Sequence, residues 1–189
     1  MNVLELKRQL ARLLLEKSYL EGDFTLSSGV KSDYYFDCRQ TSLHPEGAWL
    51  IGKLMAEMLK PLNIEGVTGM TMGADPLITA VSLAGRELGM FWPGLIVRKE
   101  AKKHGTAKNL EGLANFREGA VLGLLEDVVS TGGSVLKAYE SVRRAGLMIN
   151  DICCVLDREM GGREALEAIG CKLHALFVRK ELVEMAKWN

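Results

Sequence analysis

Leu6, Leu10, Leu13 and Leu14 recur at three- and four-residue intervals within residues 2–19, and that spacing predicts an amphipathic helix. The helical period is lost over residues 23–40. There Phe24 and Leu26 precede Ser28-Gly29, and Tyr34, Tyr35 and Phe36 follow, which reads as a turn and then a short strand. Pro45 and Glu46 open a second helix of about fifteen residues, with Trp49, Leu50, Leu54 and Met58 on one face.

From residue 66 onward, short apolar runs alternate with amphipathic ones. Gly66–Met70, Pro93–Val97, Val121–Leu125, Asp151–Leu156 and Leu173–Val178 read as strands. Asp75-Pro76 forms an N-cap and first-turn proline for a helix reaching Leu88. A further helix is expected over residues 133–145, and a short one between the last two strands. Strands that are apolar throughout and separated by helices predict an α/β fold, a parallel sheet covered by helices on both faces. Residues 1–45 are expected to form a small N-terminal hood on a core of residues 46–189, all within a single domain. The polar, poorly periodic residues 99–118 are expected to be a flexible loop of that core.

Composition narrows the class without naming a function. Hydrophobic residues make up 48% and charged residues 25% of the 189 positions, as in an ordinary globular protein. With 24 basic and 24 acidic residues, bulk charge favours neither a nucleic acid nor a membrane partner. The amino terminus lacks a signal-peptide pattern and no run reaches about 18 apolar residues, so a cytoplasmic location is expected. Cys38, Cys153, Cys154 and Cys171 form no C-x-x-C pair. They read as small buried hydrophobes rather than zinc ligands.

Chemistry concentrates in residues 121–142, VLGLLEDVVSTGGSVLKAYESV. An apolar strand delivers Glu126 and Asp127 at its C-terminal end. Val128 and Val129 follow, then Ser130, Thr131, Gly132, Gly133 and Ser134, and then a helix begins. Ligands of open parallel sheets bind beyond the carboxyl ends of the strands, and backbone N–H groups at a helix start attract anions. Gly132 and Gly133 allow the backbone to approach a phosphate closely. Two adjacent carboxylates can accept hydrogen bonds from neighbouring sugar hydroxyls. Neither G-x-x-x-x-G-K-[ST] nor G-x-G-x-x-G is present. A glycine–serine turn alone would equally be a solvated connection. The two acids at fixed distance from it point instead to a ribose 5-phosphate.

A second cluster, Arg98-Lys99-Glu100-Ala101-Lys102-Lys103-His104-Gly105, places five potentially cationic side chains within seven residues. They could neutralise a pyrophosphate, with Arg98 capable of bidentate contacts; a solvated basic loop is the plain alternative. Residues 121–134 resemble the phosphoribosyl pyrophosphate signature of phosphoribosyltransferases. RKEAKKHG (98–105) and FTLSSGVKSDYYFDCR (24–39) resemble the catalytic loop and substrate segment of the orotate phosphoribosyltransferase branch, and LDRE (156–159) matches its strand-end arginine.

That resemblance implies pyrophosphate contacts from Arg98, Lys99, Lys102 and His104, and ribose phosphate contacts from Glu126 to Ser134. It implies orotate contacts from Ser130 and Arg158. Lys102, assisted by His104, and Asp127 are the candidate catalytic residues. Mg²⁺ is the expected cofactor, held mainly by phosphoribosyl pyrophosphate and not by a protein metal site. The resemblance also implies a homodimer whose loop 99–118 is shared across the interface. Ser27 and Met72-Gly73 depart from the frequent lysine and tyrosine–lysine of the family. The competing readings are a phosphoribosyltransferase for another base, or a non-catalytic regulator that senses phosphoribosyl pyrophosphate.

Overall fold

The computed structural model describes residues 2–25, 31–99 and 109–187. Helix α1 (Val3–Lys17) is capped by the Asn2 side chain, which accepts from the Glu5 amide at 2.9 Å. It leads into a hairpin of β1 (Tyr19–Thr25) and β2 (Lys31–Phe36). One turn of helix, α2 (Arg39–Ser42), then precedes α3 (Pro45–Leu59). The remaining chain winds β3 (Gly66–Met70), α4 (Asp75–Glu87), β4 (Gly94–Val97), β5 (Leu110–Glu111), β6 (Leu122–Val129), α5 (Gly133–Arg144), β7 (Asp151–Asp157), α6 (Gly162–Glu167), β8 (Lys172–Val178) and α7 (Arg179–Ala186).

The main sheet has the order β5-β4-β3-β6-β7-β8, parallel except where β5 joins β4. One apolar core lies between the sheet and α1, α3 and α4, and a second lies between the sheet and α5 and α6. The expected parallel sheet with helices on both faces is thus the observed architecture. Cys153 and Cys154 fall in opposite cores, as adjacent residues of a strand must. All four cysteines are buried free thiols.

Four expectations change in detail. Asp75 is the first residue of α4 and Ala74 occupies the cap position. The Asp75 carboxylate instead accepts a hydrogen bond from Thr71 Oγ1 at 2.6 Å. Strand β6 runs through Glu126 and Asp127 to Val129, because β7 pairs with it as far as Asp157. The hood has two strands where the sequence suggested one. β1 is mostly exposed and its register shifts between Glu21 and Phe24, so it has no alternating apolar signal to read. Within 99–118, residues 110–111 pair with β4 and residues 113–115 form a 3₁₀ turn. A two-residue edge strand is too short to show a period. The flexible-loop expectation otherwise falls on residues 100–108, outside the described residues.

Leu14 is fully buried on α1 in the core shared with α3. Leu14→Ala should lower the unfolding free energy by about 2–5 kcal/mol in urea titrations. Leu43→Ala, at an exposed position, should change it by less than about 0.5 kcal/mol.

Candidate active site

Strands β3 and β6 are neighbours, yet the chain leaves β3 towards the β4 edge and leaves β6 towards the β8 edge. The connecting helices α4 and α5 lie on opposite faces. Such a reversal of winding opens a crevice beyond the strand ends. Its walls are Met70–Gly73 after β3, Glu126–Ser134 after and within β6, and the hood residues Tyr35 and Phe36.

The crevice divides into three connected spaces that all touch Ser134. The middle one, about 290 Å³, lies over Glu126 and Asp127, with Gly73 and Lys99 on its walls. The second, about 420 Å³, is bounded by Ser130–Ser134, Arg158, Tyr35 and Phe36. The third, about 550 Å³, is flanked by Arg98, Lys99, Lys137 and Arg144. The sequence-predicted residues Glu126, Asp127, Val128, Ser130, Thr131, Gly132, Gly133, Ser134, Arg98, Lys99 and Arg158 therefore line one continuous groove. Val129 is the exception, since its side chain is buried in the core. Lys102 and His104 lie outside the described residues.

The phosphate loop keeps its geometry through glycine. Gly132 has φ of 83°, a left-handed conformation at the N-cap of α5 that a side chain would strain. Gly132, Gly133 and Ser134 at the start of α5 line the second space, with Ser130 and Thr131 beside them. Across the crevice, a Cβ on Gly73 would lie 2.9 Å from the Asp127 carboxyl atoms. A side chain there would displace the Asp127 carboxylate from its present place.

Glu126 and Asp127 differ in kind. Glu126 is only 5% exposed, accepts from Ser134 Oγ at 3.0 Å, and also accepts from the Asp127 amide at 3.2 Å. Burial, and then the negative charge of Asp127 beside it, raises the Glu126 carboxyl to about 8. The two neighbouring acids thus resist carrying two negative charges, and the buried Glu126 is the harder of them to ionise.

Arg158 is fastened to the hood and not to Glu159. Its Nε donates to Tyr34 Oη and its Nη2 to Ser32 Oγ, both at 2.8 Å. The guanidinium carbon stands 4.3 Å from the Tyr34 ring centre. Arg179, at the start of α7, holds the same hood from the core side. It donates to Asp33 at 2.9 Å and to Tyr19 Oη at 2.9 Å, and lies 4.2 Å from the Tyr34 ring. Cation–π contacts of this kind contribute about 0.5–2 kcal/mol each. No sequence pattern marks Arg179, which sits at a helix start with no motif around it. Tyr35 and Phe36 carried a weak one, as aromatic residues in the substrate-like segment.

A parallel sheet whose winding reverses beside two acids and a glycine–serine anion loop defines a binding site for a phosphorylated sugar. No family model matches this chain, but similar proteins are found. An orotate phosphoribosyltransferase of Nostoc sp. is 44% identical over 181 residues, covering 96% of this chain and 87% of the relative. That of Thermosynechococcus vestitus is 45% identical over 178 residues, covering 94% and 93%. Among solved structures, Mycobacterium tuberculosis orotate phosphoribosyltransferase in complex with 5-phospho-α-D-ribosyl 1-diphosphate superposes with a TM-score of 0.79. It is 32% identical and the match covers 94% of this chain and 99% of that one. The chain belongs to the orotate phosphoribosyltransferase family.

The raised Glu126 pKa has a consequence for stability. An acid whose pKa is higher in the folded than in the unfolded protein takes up a proton on folding between the two values. Its stabilising contribution is complete below about 4.5 and is lost as pH rises towards about 8. Melting curves of the ligand-free protein between about pH 5 and pH 8.5 should show this decline. Glu126→Gln should flatten it, and an unchanged slope would mean that Glu126 is ionised throughout.

Proposed function

We propose that the protein transfers phosphoribose from phosphoribosyl pyrophosphate to orotate, giving orotidine 5′-monophosphate and pyrophosphate for pyrimidine nucleotide synthesis. The observation that carries this reading is the placement of Glu126-Asp127, the Ser130–Ser134 loop and Arg158 around one crevice. The loop amides and hydroxyls hold the 5′-phosphate, as helix starts hold anions. Glu126 and Asp127 meet the ribose hydroxyls. Ser130 and the cationic Arg158, which share the second space, hold orotate, with Arg158 facing the carboxylate that uracil lacks.

Ribosyl transfer passes through a cationic, oxocarbenium-like transition state. The C1′–O bond to pyrophosphate breaks as the base nitrogen bonds to C1′, and the proton of that nitrogen passes to solvent, so no protein nucleophile is needed. The work of the protein is positioning and electrostatics. Arg98 and Lys99 offset the leaving charge from the described part of the basic segment. Lys102 and His104, from the part outside it, act with them, and Lys102 is the principal catalytic residue.

Among the described residues no three histidine, cysteine, aspartate or glutamate side chains converge as a metal site. The hard carboxylate oxygens of Asp127 on the groove floor would nonetheless suit a Mg²⁺ ion held mainly by the donor's pyrophosphate. When bound, Mg²⁺ supplies further neutralisation of the leaving group. The functional unit is a homodimer with loop 99–118 shared between subunits, acting in the cytoplasm. Among the described residues no helix is long and apolar enough to cross a membrane.

Orotate, uracil, adenine and hypoxanthine, each offered separately with phosphoribosyl pyrophosphate and Mg²⁺, test the substrate. Product is expected with orotate alone; a purine nucleotide without orotidine monophosphate would overturn the assignment. Lys102→Ala should cut turnover by at least about a hundredfold without changing the melting temperature. Near-normal turnover would remove Lys102 from the mechanism.

A further inference from the structure

A departing pyrophosphate carries several negative charges, and the groups that offset them act best when already fixed in place. The middle space of the groove presents few such groups. Its β3 wall, Met70–Gly73, has no cationic side chain, and its floor is acidic. Arg39 and Lys99 are the cations among the described residues that line it.

Arg39 opens α2, directly after the hood strand β2. Its Nε donates to Asp37 Oδ1 at 2.7 Å and its Nη2 to Asp37 Oδ2 at 3.1 Å. Two parallel bonds fix the plane of the guanidinium. They use two of its five N–H donors, and the opposite edge of the fork keeps the rest. The Asp37 carboxylate also accepts from the Arg39 amide at 3.2 Å and from Gln40 Nε2 at 3.3 Å. Asp37 is therefore satisfied as a turn residue without the guanidinium. The Arg39 side chain is 43% exposed, so a diphosphate in the space over Asp127 could reach it. Lysine in its place would keep the charge but not the planar two-point grip.

We propose that Arg39 is a binding residue for the diphosphate group of the ribosyl donor, oriented by Asp37. This rests on reading the groove as a phosphoribosyl pyrophosphate site. It assigns the hood a part in holding the leaving group as well as the base. Arg39 and Lys99 then grip the diphosphate from two walls, while the Ser130–Ser134 loop holds the other end of the donor.

Isothermal titration of the whole protein with phosphoribosyl pyrophosphate, pyrophosphate and ribose 5-phosphate, each with Mg²⁺, tests the assignment on wild type, Arg39→Gln and Arg39→Lys. Loss of a charged hydrogen-bonding partner should weaken the first two ligands in Arg39→Gln by roughly ten- to a hundredfold. Ribose 5-phosphate, which has no diphosphate, should bind within about twofold of wild type, and Arg39→Lys should recover part of the loss. The melting temperature should hardly move, because an exposed pair adds little stability. Asp37→Asn should weaken pyrophosphate in the Arg39 protein but not further in Arg39→Gln; additive losses would deny Asp37 its orienting part. Equal affinities in wild type and Arg39→Gln, or equal weakening of all three ligands, would overturn the proposal. If wild type itself binds no phosphoribosyl pyrophosphate, the reading of the groove fails instead.

Discussion

Two neighbouring strands whose chains leave in opposite directions cannot both be covered at their ends. That constraint, at the ends of β3 and β6, makes the groove. Helix α4 carries the chain to one face and α5 to the other, so a space remains between the two departing loops. Everything chemical in the molecule is placed by it. The Gly73 backbone approaches Asp127 from one side, and the loop turns away on the other through the left-handed Gly132 to start α5. The hood then closes the space from above.

The charges in the groove are arranged in opposition and not pooled. Glu126 is the more buried of the two acids and the harder to ionise, because burial and Asp127 disfavour a second negative charge. Cations approach from the periphery, with Arg158 reached through the hood strand, Arg98 and Lys99 after β4, and Arg39 at the foot of the hood. The hood is itself an electrostatic fixture. Tyr34 lies against two guanidinium groups and stacks on Tyr19 at 5.2 Å, so the hood is anchored by Arg158, the residue proposed to bind the base. A purely apolar hood could cover the groove, but it could not hold Arg158 in a defined orientation.

Much of this was legible in the residues. The apolar runs at Gly66–Met70 and Val121–Leu125 and the acids that follow located the central strands and the groove floor, because buried parallel strands leave a strong unbroken signal. Strand β1 was illegible for the opposite reason, since an exposed hairpin with a register shift leaves no period. The pairing of Arg158 with Tyr34 and Ser32, more than 120 positions away, is a tertiary fact that no local pattern encodes. Arg179 was missed for the same reason: it is one arginine among many until the fold brings it to the hood. Arg39 lies within segment 24–39, but only the fold sets it on the wall of the groove. The distinction between Glu126 and Asp127 depends on depth, which adjacent positions in a sequence cannot show.

If one crevice holds the whole donor, its 5′-phosphate lies on residues 130–134 and its ribose over Glu126 and Asp127. Crystals of the protein grown with phosphoribosyl pyrophosphate and Mg²⁺ test it most directly. Such crystals should show 5′-phosphate density within hydrogen-bonding distance of the Ser130–Ser134 amides. Density for that phosphate among Arg98, Lys137 and Arg144, with the loop empty, would contradict it.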